Sequence, residues 1–487
     1  MDPVDLAAAF ADLDDVLDAP GWTVDEAAPD RLPATLLPAV DLLRRLCAER
    51  PGLAAGSPSA TIETQLAEWD MAAARQVNLI LHHAEFQALE AAWRGLHFLV
   101  SRTESGPTLK LRAMDISKRE LSRTLRKFRG TAWDQSPIFR KLYEEEYGQF
   151  GGEPFGVVVG DFEFSHHAED VQVLADMARI AAAAHFPFLA GAAPSIMNMQ
   201  SWRELANPRD LTRIFRTPEY VAWRSLRSGE DSRYLGLCMP HFLARLPYGA
   251  EPSDDWAFEE DTSDADAGGF VWINAAYALA ANITRAFALY GWCTRIRGIE
   301  TGGLVDDLVV YRFASANGDM DRRCITEVSL SEHREAELSR AGLIPLLHRK
   351  NTDVAAFVSA QSLQQPQSYA DADATANAVL AARLPYLLAC CRFAQYLKCM
   401  VRDKVGSNMS RSQLQRWLSN WLIQYVDGSP ATSTDDFKAA HPLAGAEVVV
   451  AELDGAPGQF DARFFLRPHY QLEGMGVSLR LVSRLAG

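Results

Sequence analysis

The chain has 487 residues, 48% hydrophobic and 23% charged, with a formal net charge of −15. That length buries sizeable cores and suits two or three domains. The acidic balance argues against nonspecific binding to nucleic acid or an anionic membrane, both of which need a basic surface.

No apolar run reaches the ~18 residues of a membrane-spanning helix, and the N-terminus lacks the basic and apolar stretches of a secretory signal. The 7 cysteines are scattered, apart from the adjacent Cys390 and Cys391, and form no disulfide framework. A reduced, cytoplasmic protein is expected.

Residues 1–58 read as an acidic arm and linker. The first 30 residues contain Asp and Glu but no Lys or Arg. Leu6, Phe10, Leu13 and Leu17 recur at helical spacing before Pro20, Pro29, Pro33 and Pro38 interrupt the pattern. So short a helix is marginal in water by itself, so these four residues are expected to meet a partner.

Residues 59–365 read as the main α/β region. A helix runs from Thr61 toward His82, and Phe86, Leu89, Trp93, Leu96 and Val100 then form an apolar stripe, the mark of a core or an interface. Thr108–Ala113 alternates like a strand, and Ser117 with Glu120 makes a capping box. Ser136-Pro137 opens another helix that ends near Gly148. Strand Pro154–Gly160, helix His167–His185 and strand Phe186–Ala192 form a β-α-β unit, which implies parallel pairing. Thr217-Pro218-Glu219 starts a helix, and Tyr234–Met239 reads as a strand. The acidic block Glu251–Asp266 reads as an exposed loop. A long helix over Phe270–Tyr290 is capped by Gly291. Strands are expected at Arg295–Arg297, Leu308–Phe313, Ile325–Leu330, Ile344–Leu347 and Val354–Ser359, with a helix from Ser331 to Gly342 among them.

The polar, aperiodic stretch Gln361–Ser368 marks a boundary, and residues 366–487 read as a C-terminal helical and β-strand region. A helix over Asp371–Lys404 is expected to kink at Pro385. Ser410 and Gln413 form a second capping box. Ala446–Leu453 and the run from Phe460 are strands around a Gly/Pro turn. In the final run Val477, Leu479 and Leu481 alternate with Ser478 and Arg480, as on a half-buried strand. An unpaired strand edge invites a partner, so these three residues are candidate interface positions.

Catalytic signatures are missing: there is no phosphate loop, dinucleotide fingerprint, H-E-x-x-H or G-x-S-x-G. Histidines pair at His82-His83 and His166-His167, but adjacent side chains point apart and make an incomplete zinc set. Cys390, Cys391 and Cys399 lie on an apolar helix and read as core. Arg383, Arg392 and Arg402 read as structural ion-pair formers, and Asp306-Asp307 and Glu259-Glu260 as loop neighbours. No cofactor or metal is expected.

Several stretches resemble one family. They are ILHHAEFQALEAAWRGLHFLVSRTE at Ile80–Glu104, YEEEYGQFGGEPF at Tyr143–Phe155 and PHFLARLPYG at Pro240–Gly249. Trp272–Gly303 follows with WINAAYALAANI, GWCTRIRG and E-T-G-G, then ARLPYLL, RFAQYLK and RDKVGS within Ala382–Gly406, and finally FFLRPHYQLE. In this order they resemble the large subunit of the type VI secretion contractile sheath, the TssC/VipB/ImpC family. The resemblance implies a contractile-tail-sheath-like α/β (mixed α+β) fold of mixed sheets flanked by helices. Its C-terminal helical and β-hairpin region would exchange strands between subunits. It implies a non-enzymatic role with a TssB/VipA-like small sheath subunit, neighbouring copies, the inner-tube hexamer protein and baseplate components as partners. An AAA+ disassembly ATPase would meet the segment matching Leu6–Leu17, and neither nucleic acid nor membrane is implied as a partner. Two places depart from the family: Asp306-Asp307 replaces a proline-containing turn, and Gly474-Met475-Gly476 is unusually glycine-rich. Alternative readings are a sheath subunit of another phage-tail-like injection device, or a cytoplasmic α/β enzyme using the histidine pairs or Cys390 and Cys391.

Overall fold

A computed structural model describes residues 45, 58–207, 210–249, 258–262, 269–314, 319–404, 409–430, 432–452 and 460–469. The chain divides into two compact units, Met1–Gln87 with Pro247–Gly269, and Ala88–Leu246 with Phe270–Gly487. Among the described residues no helix is long and apolar enough to cross a membrane.

The larger unit is built on a six-stranded mixed sheet. Its strands are β1 (Val158–Phe164), β2 (Phe188–Ala192), β3 (Leu235–Met239), β4 (Leu304–Val305), β5 (Leu343–His348) and β6 (Ala355–Phe357). They lie in the order β1-β2-β3-β5-β6-β4. The first four are parallel, with Leu189 opposite Gly236 and Cys238 opposite Ile344. β6 turns back antiparallel on β5 and carries β4 at its far edge. The expected β-α-β unit is present and parallel, although β1 starts at Val158.

Side-chain alternation explains the layers. Phe188, Ala190, Leu235 and Leu237 point to one face, where they meet Leu174, Met177 and Ala181 of helix Ala168–Ala184. Leu189, Cys238, Ile344 and Leu346 point to the other, against helix Ala275–Tyr290 and the start of helix Leu384–Lys404. Strands covered on both faces must be apolar throughout, which is how β2 and β3 read.

The helices begin and end where local chemistry places them. In chain order α1 is Pro58–Leu81, α2 Ala84–Ser101, α3 Lys118–Lys127, α4 Ala168–Ala184, α5 Val221–Ser228, α6 Ala275–Tyr290 and α7 Glu332–Arg340. Both capping boxes form, Ser117 with Glu120 and Ser410 with Gln413. Gly291 caps α6 in the left-handed region at φ 74°, where a side chain would be strained. The helix from Pro137 contains one π-helical turn, Arg140–Glu144.

Three expected strands are not strands. Thr108–Ala113 joins no ladder; its cations instead pair with acids, Lys110 with Glu153 and Arg112 with Glu146 and Glu153. Arg295–Arg297 and Ile325–Leu330 are irregular, the latter making a single bridge from Thr326 to Phe242. Of the run Leu308–Phe313, only its end lies in a strand, Arg312–Ala314, paired with Met320–Arg322. The polar stretch Gln361–Ser368 is not loose, because Ser362 N–H donates to Ala382 O and Leu363 N–H to Leu235 O, each at 2.8 Å.

The C-terminal region has its own core. The single kinked helix expected over Asp371–Lys404 is two helices, α8 (Ala372–Ala381) and α9 (Leu384–Lys404), and Pro385 sits in the first turn of the second. There its missing N–H costs nothing, so it starts a helix rather than bending one. α10 (Arg411–Ile423) and α11 (Asp435–Ala440) follow, then β7 (Leu443–Glu452) and β8 (Phe460–Pro468), paired antiparallel. Trp292, Phe393, Leu418 and Leu422 pack beneath them.

In the smaller unit, the expected exposed acidic loop is anchored where it is described. Phe258 and Glu260 are buried. Asp261 N–H donates to Asn78 Oδ1 on α1 at 2.9 Å, and Tyr248 N–H donates to Glu260 at 3.0 Å. His82 faces Glu260 at 3.4 Å, so this histidine has a carboxylate rather than a chelate partner.

Candidate assembly interface

The β7–β8 hairpin presents an unusual combination of a buried face and open edges. Val448 and Val450 on β7 and Ala462, Phe464 and Leu466 on β8 are buried toward the helices, while Glu447, Arg463 and Arg467 alternate outward. The sheet has two strands. On each strand every second residue points its N–H and C=O away from the partner. Among the described residues, only the start of β7 is covered on that side: Leu443 bridges Val426, and its N–H donates to Tyr425 O at 3.1 Å. Both strands are long, and no other described residue pairs with the hairpin's outer edges, which suits strand addition.

Aromatic packing props this hairpin from below. Trp292 stacks on Phe393 with ring centroids 4.1 Å apart and meets Tyr425 edge-on at 5.1 Å. Trp421 packs edge-on to both Phe393 and Tyr425. A two-stranded hairpin alone is marginal in water, and these rings supply the burial it lacks.

A second surface lies on α2. The helix is apolar on two sides. One side is buried: Leu99 enters the core, and a Cβ on Gly95 would lie 2.4 Å from the Tyr277 ring, so only glycine allows this approach to α6. The other side is the expected stripe, and most of it is bare: Leu89 is 56% exposed, Trp93 66% and Val100 48%, while Leu96 between them is half-buried. Between the two sides, Glu90 accepts from Arg94 and from Arg245, both at 2.6 Å. Burial raises the Glu90 carboxyl pKa, but the two guanidiniums outweigh it and hold the value below normal.

The stretches that carry the family resemblance hold distant segments together. Gln395, buried in α9, donates to Phe155 O at 2.6 Å and to His185 O at 2.7 Å. Arg402 donates to the carbonyls of Tyr147 and Gln149. Lys398 lies over the Tyr143 and Tyr147 rings. Arg245 reaches α2, and Arg285 donates to Leu304 O at 2.6 Å. The unusual Asp306-Asp307 turn is clamped by Arg102, which donates to both backbone carbonyls at 2.8 Å.

The enzyme candidates fall into structural roles. His166 Nδ1 lies 2.8 Å from Ser195 O, and its ring stacks on Tyr220. His167 is the N-cap residue of α4. Among the described residues no group of His, Cys, Asp or Glu could hold a metal. Burial pushes the Cys390 thiol up to about 12 and Cys391 well above its ordinary value, so neither forms a thiolate nucleophile at neutral pH. Arg392 donates to Gln395 at 3.0 Å and covers the Tyr396 ring.

Comparison with known proteins agrees with this architecture. A family model described as EvpB/VC_A0108, tail sheath N-terminal domain, matches residues 63–364. A second, described as EvpB/VC_A0108, tail sheath gpW/gp25-like domain, matches residues 373–485. The chain is 59% identical over 449 residues to the type VI secretion system sheath protein TssC1 of Pseudomonas aeruginosa, spanning 92% of this chain and 90% of that protein. The chain belongs to the TssC/VipB tail-sheath family.

Two solved structures also align loosely with this sheath-family chain. One is the anti-feeding prophage baseplate, at 10% identity over 77% of this chain and 84% of that one, with a TM-score of 0.37. The other is the contracted helical sheath of the same prophage, at 13% identity over 64% and 75%, with a TM-score of 0.26. At those scores neither likeness carries an argument.

The residues singled out for partner contact, Leu6, Phe10, Leu13 and Leu17 in the arm and Val477, Leu479 and Leu481 at the end, lie outside the described residues. The sequence reading did not identify which side of α2 stays bare. Gly95 was the available signal, because a glycine inside a helix often marks a close approach.

Proposed function

We propose that this chain is the large structural subunit of a type VI contractile sheath, working in the cytoplasm and catalysing nothing itself. It pairs with a TssB/VipA-like small sheath subunit. The pairs polymerise with neighbouring copies into a helical tube around the inner-tube hexamers, starting from the baseplate, and contraction drives effectors into target cells. The observation that supports this reading is the β7–β8 hairpin, with one face fixed to the core and, among the described residues, both edges open beyond the start of β7. Strand addition from another chain completes such a sheet, and a head-to-tail contact that does not close into a ring generates a helical filament.

Val477, Leu479 and Leu481 are proposed as part of the exchanged strand, since their alternation sets a register. Leu6, Phe10, Leu13 and Leu17 are proposed as the segment offered to a AAA+ disassembly ATPase. The bare α2 stripe supports docking of the small subunit there. Identity of 59% to a type VI sheath protein favours this apparatus over another contractile injection device.

Co-expression with the cognate small subunit should give tubes visible by negative-stain electron microscopy. Removing residues 476–487 should leave a soluble chain that forms no long tubes. Soluble monomers from an intact co-expressed pair would overturn the sheath reading. Normal tubes from the truncated chain would move the joint away from the C-terminal end.

A further inference from the structure

A cavity of about 560 Å³ opens between α8, the start of α9, α11 and the ends of β7 and β8, within the ordinary size range of a binding site. Its walls carry two kinds of chemistry. Val379 and Leu380 on α8, with Tyr386 on α9, give an apolar surface. Arg295, Arg297, Arg383 and Lys438 supply cations, and no Asp or Glu lines it. In a chain of net charge −15, a wall that carries four cations and no carboxylate is locally positive even with the Arg295 charge balanced by a neighbour. Arg295 is paired with Asp436. The Lys438 ammonium makes no hydrogen bond or ion pair among the described residues, and its charge acts on Asp427 and His469 only through space. A fitting ligand is therefore acidic and apolar at once.

We propose that this cavity binds the acidic amphipathic arm, residues 1–20, of a neighbouring copy. The arm has Leu6, Phe10, Leu13 and Leu17 at helical spacing and Asp12, Asp14, Asp15 and Asp18 among them, with no Lys or Arg. The chain's other candidates fit less well. Residues 470–487 leave from His469 on the cavity wall, but their side-chain charges are Glu473 against Arg480 and Arg484, so they are not acidic. The acidic block around Glu260 already spends that carboxylate on His82 and Tyr248. The residues between Pro20 and Pro58 can span at most on the order of 100 Å, enough to reach an adjoining subunit. That the arm comes from another copy rests on the sheath reading; the cavity's preference for an acidic amphipathic segment does not.

Two full-length versions co-expressed with the small subunit test this. One carries a photo-cross-linking residue at Val379, and the other carries Val4→Ile to mark its arm by mass. Irradiation should couple Val379 to arm peptides bearing the mark, and raising the salt should lower the yield as charges are screened. Lys438→Glu should reduce the yield roughly fivefold. Adding Asp14→Lys and Asp15→Lys to the marked copy should restore part of it. Capture of unmarked arm alone would overturn docking between copies. Tubes that form while Val379 captures another segment, or nothing, would overturn the docking and leave the sheath reading standing. Arm capture without tubes would do the reverse.

Discussion

Trp93→Ala separates a folding role from an assembly role. Trp93 is 66% exposed on α2, so the isolated chain draws little stability from it. A substitution at so bare a site changes folding by about 0.5 kcal/mol or less. An indole carries roughly 150–250 Å² of surface, so covering the bare two-thirds removes roughly 100–165 Å² from water. At about 25 cal/mol per Å², that is roughly 2.5–4 kcal/mol of docking energy. Association with the small subunit, measured by calorimetry, should weaken by roughly 50-fold or more. The melting temperature of the chain alone should stay nearly unchanged. Leu99→Ala, on the buried side of the same helix, should do the opposite: a loss of about 2–5 kcal/mol in folding stability. Unchanged affinity in Trp93→Ala would refute the assignment of this stripe to the small subunit. A large melting shift in that variant would show that the stripe is core.

Three further predictions follow from buried groups. His241 lies 2.7 Å from Glu163 and 2.8 Å from Glu327; burial lowers its pKa, but the two carboxylates outweigh this and raise it from 6.5 to about 10. Its stabilising contribution, a few kcal/mol at most, is complete below pH 6.5 and fades toward pH 10, so His241→Gln should destabilise most at the acid end and the gap in chemical-denaturation midpoints should narrow as pH rises. Cys324 lies 3.3 Å from His348 Nδ1, whose Nε2–H donates to Thr352 O. Burial raises this thiol, but the His348 and Thr326 hydrogen bonds outweigh it and bring it below its ordinary value. Iodoacetamide should therefore label Cys324 before Cys238 or Cys390, and His348→Ala should remove that lead; equal labelling rates would reject the pairing. Phe464→Ala removes a buried ring from the hairpin's inner face and should cost about 3–5 kcal/mol in calorimetry, while a near-neutral result would mean that the hairpin does not lean on that core.

What could be read from the sequence depended on how far apart the interacting groups are along the chain. Helix ends were legible because Ser117 finds Glu120 and Ser410 finds Gln413 within one turn. Strands were less so. Thr108–Ala113 alternates like a strand, yet Arg112 satisfies itself on Glu146 and no ladder forms. Pro385 announced a disturbance, but it begins a helix because Arg383, two residues earlier, bridges to the distant Gln361 instead of continuing α8. The apolar stripe on α2 was visible as a period, while the covered side was decided by Tyr277, almost two hundred residues away. The cationic cavity gathers Arg295, Arg383 and Lys438 from three separate stretches of the chain, a coincidence that local patterns do not encode.

The hairpin shows how one element can be both stable and available. Its stability comes from its face: Phe464 and Leu466 are buried with Leu418 and Leu422 against the helices, and this burial does not depend on the outer edges. Beyond the start of β7, no described residue of the chain consumes those edges. Their N–H and C=O groups are satisfied by water in a free subunit, so exposure carries little penalty there. In the proposed assembly the same groups would exchange water for another strand, each bond worth only about 0.5–1.5 kcal/mol. Summed along nine or ten residues that suffices to join subunits, while each bond stays individually weak. A joint of this kind can tilt without unfolding, because the face that holds the hairpin and the edge that holds the neighbour are different surfaces. The contraction proposed for the tube would draw on that separation.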